Sequence, residues 1–124
     1  KGGKGVDSTD SSDTALEASV KLAREYNTIV CVTGKTDYVT DGKEILSCTG
    51  GSIKATLVVG TGCSLSAMVA AFIAQTEHPL EAVISACALA KRAAQQAAGV
   101  ARGPGSFAVA YVDALNLLQA KDFY

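Results

Sequence analysis

The sequence has no tryptophan, one methionine, one histidine and only 6% aromatic residues, so its core must be built from small and aliphatic side chains. It also has no excess of one charge, because 11 basic and 12 acidic side chains leave a formal net charge of −1. No basic tract suggests a nucleic acid or an anionic membrane as a partner. The longest apolar run, 67–74, is too short to span a membrane. These absences favour a small molecule or another copy of the chain as the partner.

The four cysteines lack the Cys-x-x-Cys spacing that is typical of metal sites, and three of them lie in apolar segments: Cys31, Cys48, Cys63 and Cys87. This pattern argues against both a metal site and a disulfide framework. No signal-peptide pattern is visible either. We therefore expect a reduced, cytoplasmic setting.

What the sequence does have is a stretch at 58–72 around which the rest is organised. An apolar run at 55–59 stops at Gly60 and Gly62, and from Cys63 onward apolar residues recur at helical spacing. This order predicts a strand, a tight turn and a helix over 63–74. The first amides of such a helix have no intrahelical partner and lie at the positive end of its dipole, so the turn could hold an anion.

A Gly-x-Gly turn before a helix is weak evidence alone, because any close strand-to-helix connection uses the same residues. Cys63 favours a functional interpretation, since a helix N-terminus favours negative charge on a thiol. A cysteine can equally be a small buried hydrophobic residue. Both interpretations stay open at this point.

Two elements are predicted before this turn. Thr14 and Glu17 form a possible capping box for a helix over 15–26. The unbroken apolar run 28–33 predicts a central strand that is covered on both faces. Thr33 ends this strand, where ligands gather in open α/β sheets, although it could be a simple strand end.

The remaining segments complete a layered α/β arrangement. Asp41-Gly42 predicts a type I′ hairpin turn between strands at 37–40 and 44–48. A helix over 80–98 should end at Gly99, and Ser106 should cap a last helix. We expect the polar side chains of these segments to face solvent or loops, namely Lys54, His78, Lys91, Arg92, Gln95 and Gln96.

The motif Gly60-Thr61-Gly62-Cys63, followed by Ser-Leu-Ser-Ala, resembles that of the hydroxyethylthiazole kinases. Stretches at 4–10, 32–34, 37–42 and 103–107 resemble the same family and occur in the right order. Most ribokinase-like enzymes carry an acidic residue at the end of this turn, whereas the thiazole kinases carry cysteine. Cys63 is therefore the most discriminating mark.

The resemblance implies a ribokinase-like fold, with 1–124 as the C-terminal nucleotide- and phosphoryl-binding part of a single kinase domain whose N-terminal part is absent. It implies ATP-dependent phosphorylation of 4-methyl-5-(2-hydroxyethyl)thiazole in thiamine biosynthesis and salvage, with Mg²⁺, by a homotrimer. The alternatives are a kinase for another small alcohol, such as a hydroxymethylpyrimidine, and a non-catalytic nucleotide-binding fragment.

The resemblance also implies roles for individual residues. The amides of Gly60, Thr61, Gly62 and Cys63 would form an anion hole for the phosphoryl group, and Gly60 would also meet the substrate. Cys63 would orient the alcohol and take its proton. Thr33 would contact ATP, and the turn at 103–106 would lie on the nucleotide side.

Overall fold

The computed structural model describes residues 12–123, so the stretch at 4–10 lies outside the described residues. The elements follow one another as α1 (Ser12–Tyr26), β1 (Val30–Val32), β2 (Thr36–Thr40), β3 (Ile45–Thr49), a 3₁₀ helix (Ile53–Leu57), α2 (Thr61–Ile73), α3 (Pro79–Val100), α4 (Pro104–Leu117) and a short 3₁₀ turn (Ala120–Phe123). The strands form one antiparallel sheet in the order β1–β2–β3. In this part of the chain no helix is both long and apolar enough to cross a membrane.

The sheet lies between helices, with α1 packed on β1 and β2 and α3 packed on β2 and β3. Val39 on β2 is fully buried and meets Leu80, Val83 and Cys87 of α3. Leu65 and Val69 of α2 pack against the same cluster. The helix α3 therefore joins the sheet to the element that follows the glycine turn.

A second core cluster joins α3 to α4 and consists largely of alanine: Ala93, Ala94, Ala97, Ala101, Phe107, Tyr111 and Ala114. Phe107 and Tyr111 stack with ring centroids 6.1 Å apart. Alanine lets helices approach closely, which is how a sequence without tryptophan buries a core. The expectation of small-residue helix packing is confirmed.

The hairpin is confirmed, but its predicted turn is wrong. Thr40 and Ile45 form the last pair of the β2–β3 ladder, so four residues connect the strands. A type I′ turn needs positive φ at both central residues, whereas here Gly42 has φ +89° and Asp41 does not have positive φ. Instead, the Asp41 carboxylate accepts hydrogen bonds from the amides of Lys43 and Glu44, both at 2.8 Å.

Helix bounds also differ from the predicted ones. Thr14 lies inside α1 and does not cap it, although the helix ends at Tyr26 as predicted. Gly99 lies inside α3, which continues to Val100. Gly103 is the N-cap of α4, and Ser106 lies in its first turn. The Oγ of Ser106 accepts hydrogen bonds from the amides of Arg102 and Gly103, at 2.9 and 3.1 Å, so it caps the helix from within.

Two burial expectations are wrong for the described chain. Within residues 12–123, β1 pairs with β2 alone and is half-buried, not a central strand covered on both faces. No residue of α2 is fully buried, although the apolar composition of this helix favours burial. The reason is the same in both cases, because the described elements cover only one edge of β1 and one side of α2.

Candidate functional site: the glycine turn before α2

The segment that enters the glycine turn is a 3₁₀ helix, Ile53–Leu57, and the predicted strand over 55–59 is wrong. Local side-chain hydrogen bonds favour the helical turn over an extended chain. Ser52 caps it by accepting a hydrogen bond from the amide of Lys54 at 3.2 Å. The hydroxyl of Thr56 donates to the carbonyl of Ile53 at 2.7 Å.

Lys54 anchors this segment to the end of α3. Its ammonium donates to the carbonyls of Ala98 and Ala101, at 3.0 and 3.1 Å. The last carbonyls of a helix have no intrahelical partner and lie at its negative end, so a lysine stabilises them both by hydrogen bonding and by charge. The expectation that Lys54 is simply solvated is wrong. Lys54 fixes the position from which the chain enters the glycine turn.

Gly60 is the N-cap of α2 and has φ +102° and ψ −9°, a left-handed conformation that favours glycine. The first backbone hydrogen bond of the helix runs from the amide of Ser64 to the carbonyl of Gly60, at 2.9 Å. The amides of Thr61, Gly62 and Cys63 precede this bond and point out of the helix end. The predicted group of outward-facing amides is therefore present.

The surface of this turn is open. A Cβ added at Gly60 or at Gly62 would meet no described atom within 4 Å. Gly62 does not have positive φ, so within this turn a backbone requirement for glycine exists at Gly60 alone. The small size of Gly62 can matter only for something that approaches the amides from outside.

Cys63 is exposed and carries a free thiol in the first turn of α2. The alternative that Cys63 is a small buried hydrophobic residue is therefore wrong within the described chain. Its neighbours in the turn bond to the backbone: the hydroxyl of Ser64 donates to the carbonyl of Thr61 at 2.7 Å, and that of Ser66 to the carbonyl of Gly62 at 3.2 Å. These bonds stiffen the turn that presents the sulfur.

Tyr111 of α4 lies near the hydroxyl of Ser64, one residue after Cys63. Burial raises the pKa of Tyr111, and the Ser64 hydroxyl opposes that effect. The phenol therefore keeps its proton beside the first turn of α2. The apolar spacing on α4 predicted a core position for Tyr111, but it gave no sign of this contact.

Thr33, the predicted ATP contact, lies on a different element from the glycine turn. It is exposed and follows the last residue of β1. Both regions are fixed to α3, because Lys91 of that helix bonds to the carbonyl of Gly34 at 2.8 Å and Ala98 accepts from Lys54. Seven residues separate Lys91 from Ala98, a rise of about 10 Å along an α-helix. One rigid helix therefore holds both predicted contact regions.

Two grooves among the described residues lie away from the glycine turn. One of about 810 Å³ lies at the opposite end of α2, and its lining includes Phe72, His78 and Glu81. The other, of about 790 Å³, lies beside α1 and Ile45. The exposure of His78 agrees with the loop position predicted for it. Neither groove is lined by residues of the glycine turn.

Comparison with known proteins gives consistent matches over nearly the whole chain. The family model described as the hydroxyethylthiazole kinase family matches residues 1–121. Hydroxyethylthiazole kinase of Citrobacter koseri is 51% identical over 121 residues, which cover 98% of this chain and 46% of that protein. Hydroxyethylthiazole kinase of Klebsiella pneumoniae (strain 342) is 54% identical over 114 residues, covering 92% and 44%. The chain thus spans a little under half the length of these relatives.

A solved structure agrees with the sequence matches. The structure of hydroxyethylthiazole kinase protein from Pyrococcus horikoshii OT3 superposes with a TM-score of 0.85 at 39% sequence identity, covering 90% of this chain and 43% of that one. The predicted fold class, an α/β arrangement corresponding to the C-terminal portion of a ribokinase-like protein, is confirmed by this match.

Proposed function

The chain belongs to the hydroxyethylthiazole kinase family, and from that premise we propose that it is the nucleotide- and phosphoryl-binding part of a single kinase domain. The complete enzyme uses ATP to phosphorylate the hydroxyethyl group of 4-methyl-5-(2-hydroxyethyl)thiazole, a reaction of thiamine biosynthesis and salvage. The family resemblance drawn from the glycine turn and its flanking motifs is confirmed. The reaction, its substrates and the role of each residue belong to the proposal.

One observation carries this proposal: three consecutive backbone amides, ending at an exposed thiol, point outward from a turn with open space around its glycines. Phosphoryl transfer depends more on positioning and charge stabilisation than on covalent chemistry by the protein. Amides at a helix N-terminus supply both, because their positions are fixed before the reaction and they carry partial positive charge.

In the proposed reaction, the amides of Gly60, Thr61, Gly62 and Cys63 hold the oxygens of the moving phosphoryl group. The thiolate of Cys63 orients the substrate hydroxyl and takes its proton as the new P–O bond forms and the bond to ADP breaks. Gly60 also lies at the alcohol, and Thr33 contacts ATP. Because a thiolate is a weak base, the amides contribute more to the rate than the sulfur does.

Magnesium accompanies ATP in the proposed reaction. Among residues 12–123, no group of three or more His, Cys, Asp or Glu side chains is placed to hold a metal ion. The described side chains therefore do not fit a metal site of their own, and no step is assigned to the metal. A cytoplasmic homotrimer, as the family resemblance implies, is the proposed form of the complete enzyme.

Turnover of two alcohols tests the proposed function. The complete enzyme should phosphorylate the thiazole alcohol with ATP and should have a much lower kcat/KM with a hydroxymethylpyrimidine. The reverse preference would establish a kinase for another small alcohol. Binding of ATP without turnover of either alcohol would establish a non-catalytic nucleotide-binding protein. Light scattering of the same preparation measures whether it is a trimer.

A further inference from the structure

We propose that Lys91 and Asp37 act as a buried clamp that positions the Thr33–Gly34 turn for nucleotide binding, an inference that rests on the proposed function. The ammonium of Lys91 lies 3.1 Å from Oδ1 of Asp37, and the two side chains are 11% and 5% exposed. We expected Lys91 to lie on the solvent face of α3, and that expectation is wrong. The sequence did offer one sign that Lys91 faces inward. Lys91 follows the apolar residue Cys87 by four positions, and residues i and i+4 share a helix face.

The bonds of Lys91 account for all of its hydrogen-bonding capacity. A lysine ammonium has three donors, and this one donates to the carbonyl of Gly34 at 2.8 Å, to the carbonyl of Lys35 at 3.2 Å and to the carboxylate of Asp37. No donor remains for a phosphate. Lys91 therefore acts as a positioning residue and does not itself bind the nucleotide.

Asp37 closes the clamp from the other side. The same Oδ1 atom that meets Lys91 accepts a hydrogen bond from the amide of Gly34 at 2.9 Å. Both backbone polar groups of Gly34 are thereby held, the carbonyl by the lysine and the amide by the carboxylate. The pair therefore restrains the turn that begins at Thr33 through its backbone.

The clamp is shielded by the glycines that follow β3. Gly51, with φ +81°, lies against the stem of Lys91, where an added Cβ would be 3.4 Å from Cγ. An added Cβ at Gly50 would come within 3.0 Å of the side-chain amide of Gln95, one turn further along α3. These glycines let the backbone pack against this face of α3 and cover the stem of the lysine.

A clamp that acts through Thr33 should affect the two substrates unequally. In the complete enzyme, Lys91→Gln should raise the KM for ATP roughly tenfold, the effect of losing one hydrogen bond between the mispositioned Thr33 and the charged nucleotide. It should change kcat less than threefold and leave the KM for the thiazole alcohol unaltered. Lys91→Arg should recover part of the ATP affinity. Arg92→Gln, at the adjacent exposed position, is the matched control and should behave as the parent does.

A measurement on the parent enzyme keeps the inference testable if Lys91→Gln does not fold. Hydrogen exchange at 33–37 should slow when ATP is added and should not change when the thiazole alcohol is added. An unchanged KM for ATP in folded Lys91→Gln, parallel changes in both KM values, or no ATP-dependent protection of 33–37 would each overturn the clamp. A parent enzyme with no ATP-dependent turnover would instead reject the proposed function.

Discussion

The sulfur atoms of Cys31 and Cys87 lie 3.6 Å apart, so β1 touches α3 directly two residues before Thr33. The contact makes the two thiols unequal, because their hydrogen bond lowers the pKa of Cys31 and raises the pKa of Cys87. Cys87 therefore keeps its proton to a higher pH than Cys31 does. We predict that Cys87→Ser lowers the melting temperature, because a hydroxyl in this site is costlier to bury than a thiol, and that Cys63→Ser at the exposed position does not.

Removing the sulfur from the glycine turn tests its chemical role. Cys63→Ala should slow phosphoryl transfer in single-turnover measurements by about 10²- to 10⁴-fold, the usual loss when a general base is removed. ATP affinity should stay nearly unchanged, and Cys63→Asp should retain activity. If Cys63→Ala matches the parent rate while Cys63→Asp is inactive, the thiol is a packing group and the assigned role is wrong.

The two glycines of the turn should respond oppositely to alanine. Gly60→Ala should lower the free energy of unfolding by about 1 kcal/mol, because φ +102° strains a residue with a Cβ. Gly62→Ala should stabilise the protein by up to about 1 kcal/mol, because Gly62 lies in helical backbone with open space around it.

Activity should not follow stability for this pair. Gly62→Ala should slow phosphoryl transfer although it stabilises the fold, since the added methyl group stands where the phosphoryl oxygens must reach the amides. Gly62→Val should slow it further. Denaturant unfolding and single-turnover rates on the same samples measure both quantities. A stabilised Gly62→Ala enzyme with the parent rate would show that nothing approaches the turn closely.

The sequence predicted the outward-facing amides and the hairpin because both depend on local residue types. It did not predict the functions of Lys54 and Lys91. Each was assigned to solvent on the basis of its charge, yet a lysine stem is long enough to bring the ammonium to backbone carbonyls that are distant in sequence. The carbonyl partners of Lys54 are 44 and 47 residues away in the sequence. A local sequence pattern cannot predict contacts at such a separation.

The error at 55–59 has a similar cause. Val58 and Val59 favour extended backbone, but a strand needs a neighbour to satisfy its hydrogen bonds. Ser52 and Thr56 offer bonds within their own segment instead. These local bonds and the attachment of Lys54 to α3 favour the 3₁₀ helix, and they outweigh the strand propensity of a few residues.

Lys54 should matter for stability more than an ordinary surface lysine. Lys54→Met should lower the free energy of unfolding by about 1–3 kcal/mol, because two carbonyls at the end of α3 lose a charged donor. Lys43→Met, at an exposed position in the hairpin loop, is the control and should change it by less than about 0.5 kcal/mol. Equal effects of the two substitutions in urea unfolding would contradict the anchoring role of Lys54.

Alkaline pH should weaken the fold through Cys48. Burial, followed by the nearby charge of Asp37, raises the pKa of this thiol from 9.0 to about 11. A pKa that is higher in the folded state means that the stabilisation is fully present below pH 9 and is lost as pH rises toward 11. Urea midpoints of the parent should therefore fall over this range more steeply than those of Cys48→Ala. Parallel curves for the parent and Cys48→Ala would contradict this assignment.

Expressed alone, residues 1–124 should associate and should not phosphorylate an alcohol. Several large apolar side chains are strongly exposed, including Val59 at 93%, Ile53 at 81% and Val100 at 74%. Among residues 12–123, no strand pairs with the outer edge of β1, and an open strand edge favours association. Light scattering and an activity assay of the purified segment measure both properties. A monodisperse, active monomer would contradict this prediction and the proposal that 1–124 is only part of a kinase domain.

The buried alanines of α3 set how closely α4 can approach it. Ala93, Ala94 and Ala97 are fully or almost fully buried in the cluster that also holds Phe107 and Tyr111 of α4. A single added methylene in so tight a contact must push a helix outward. Substitutions at these positions would therefore displace Tyr111, which lies near Ser64 in the first turn of α2. Under the proposed function, they would change the rate although no substrate touches them.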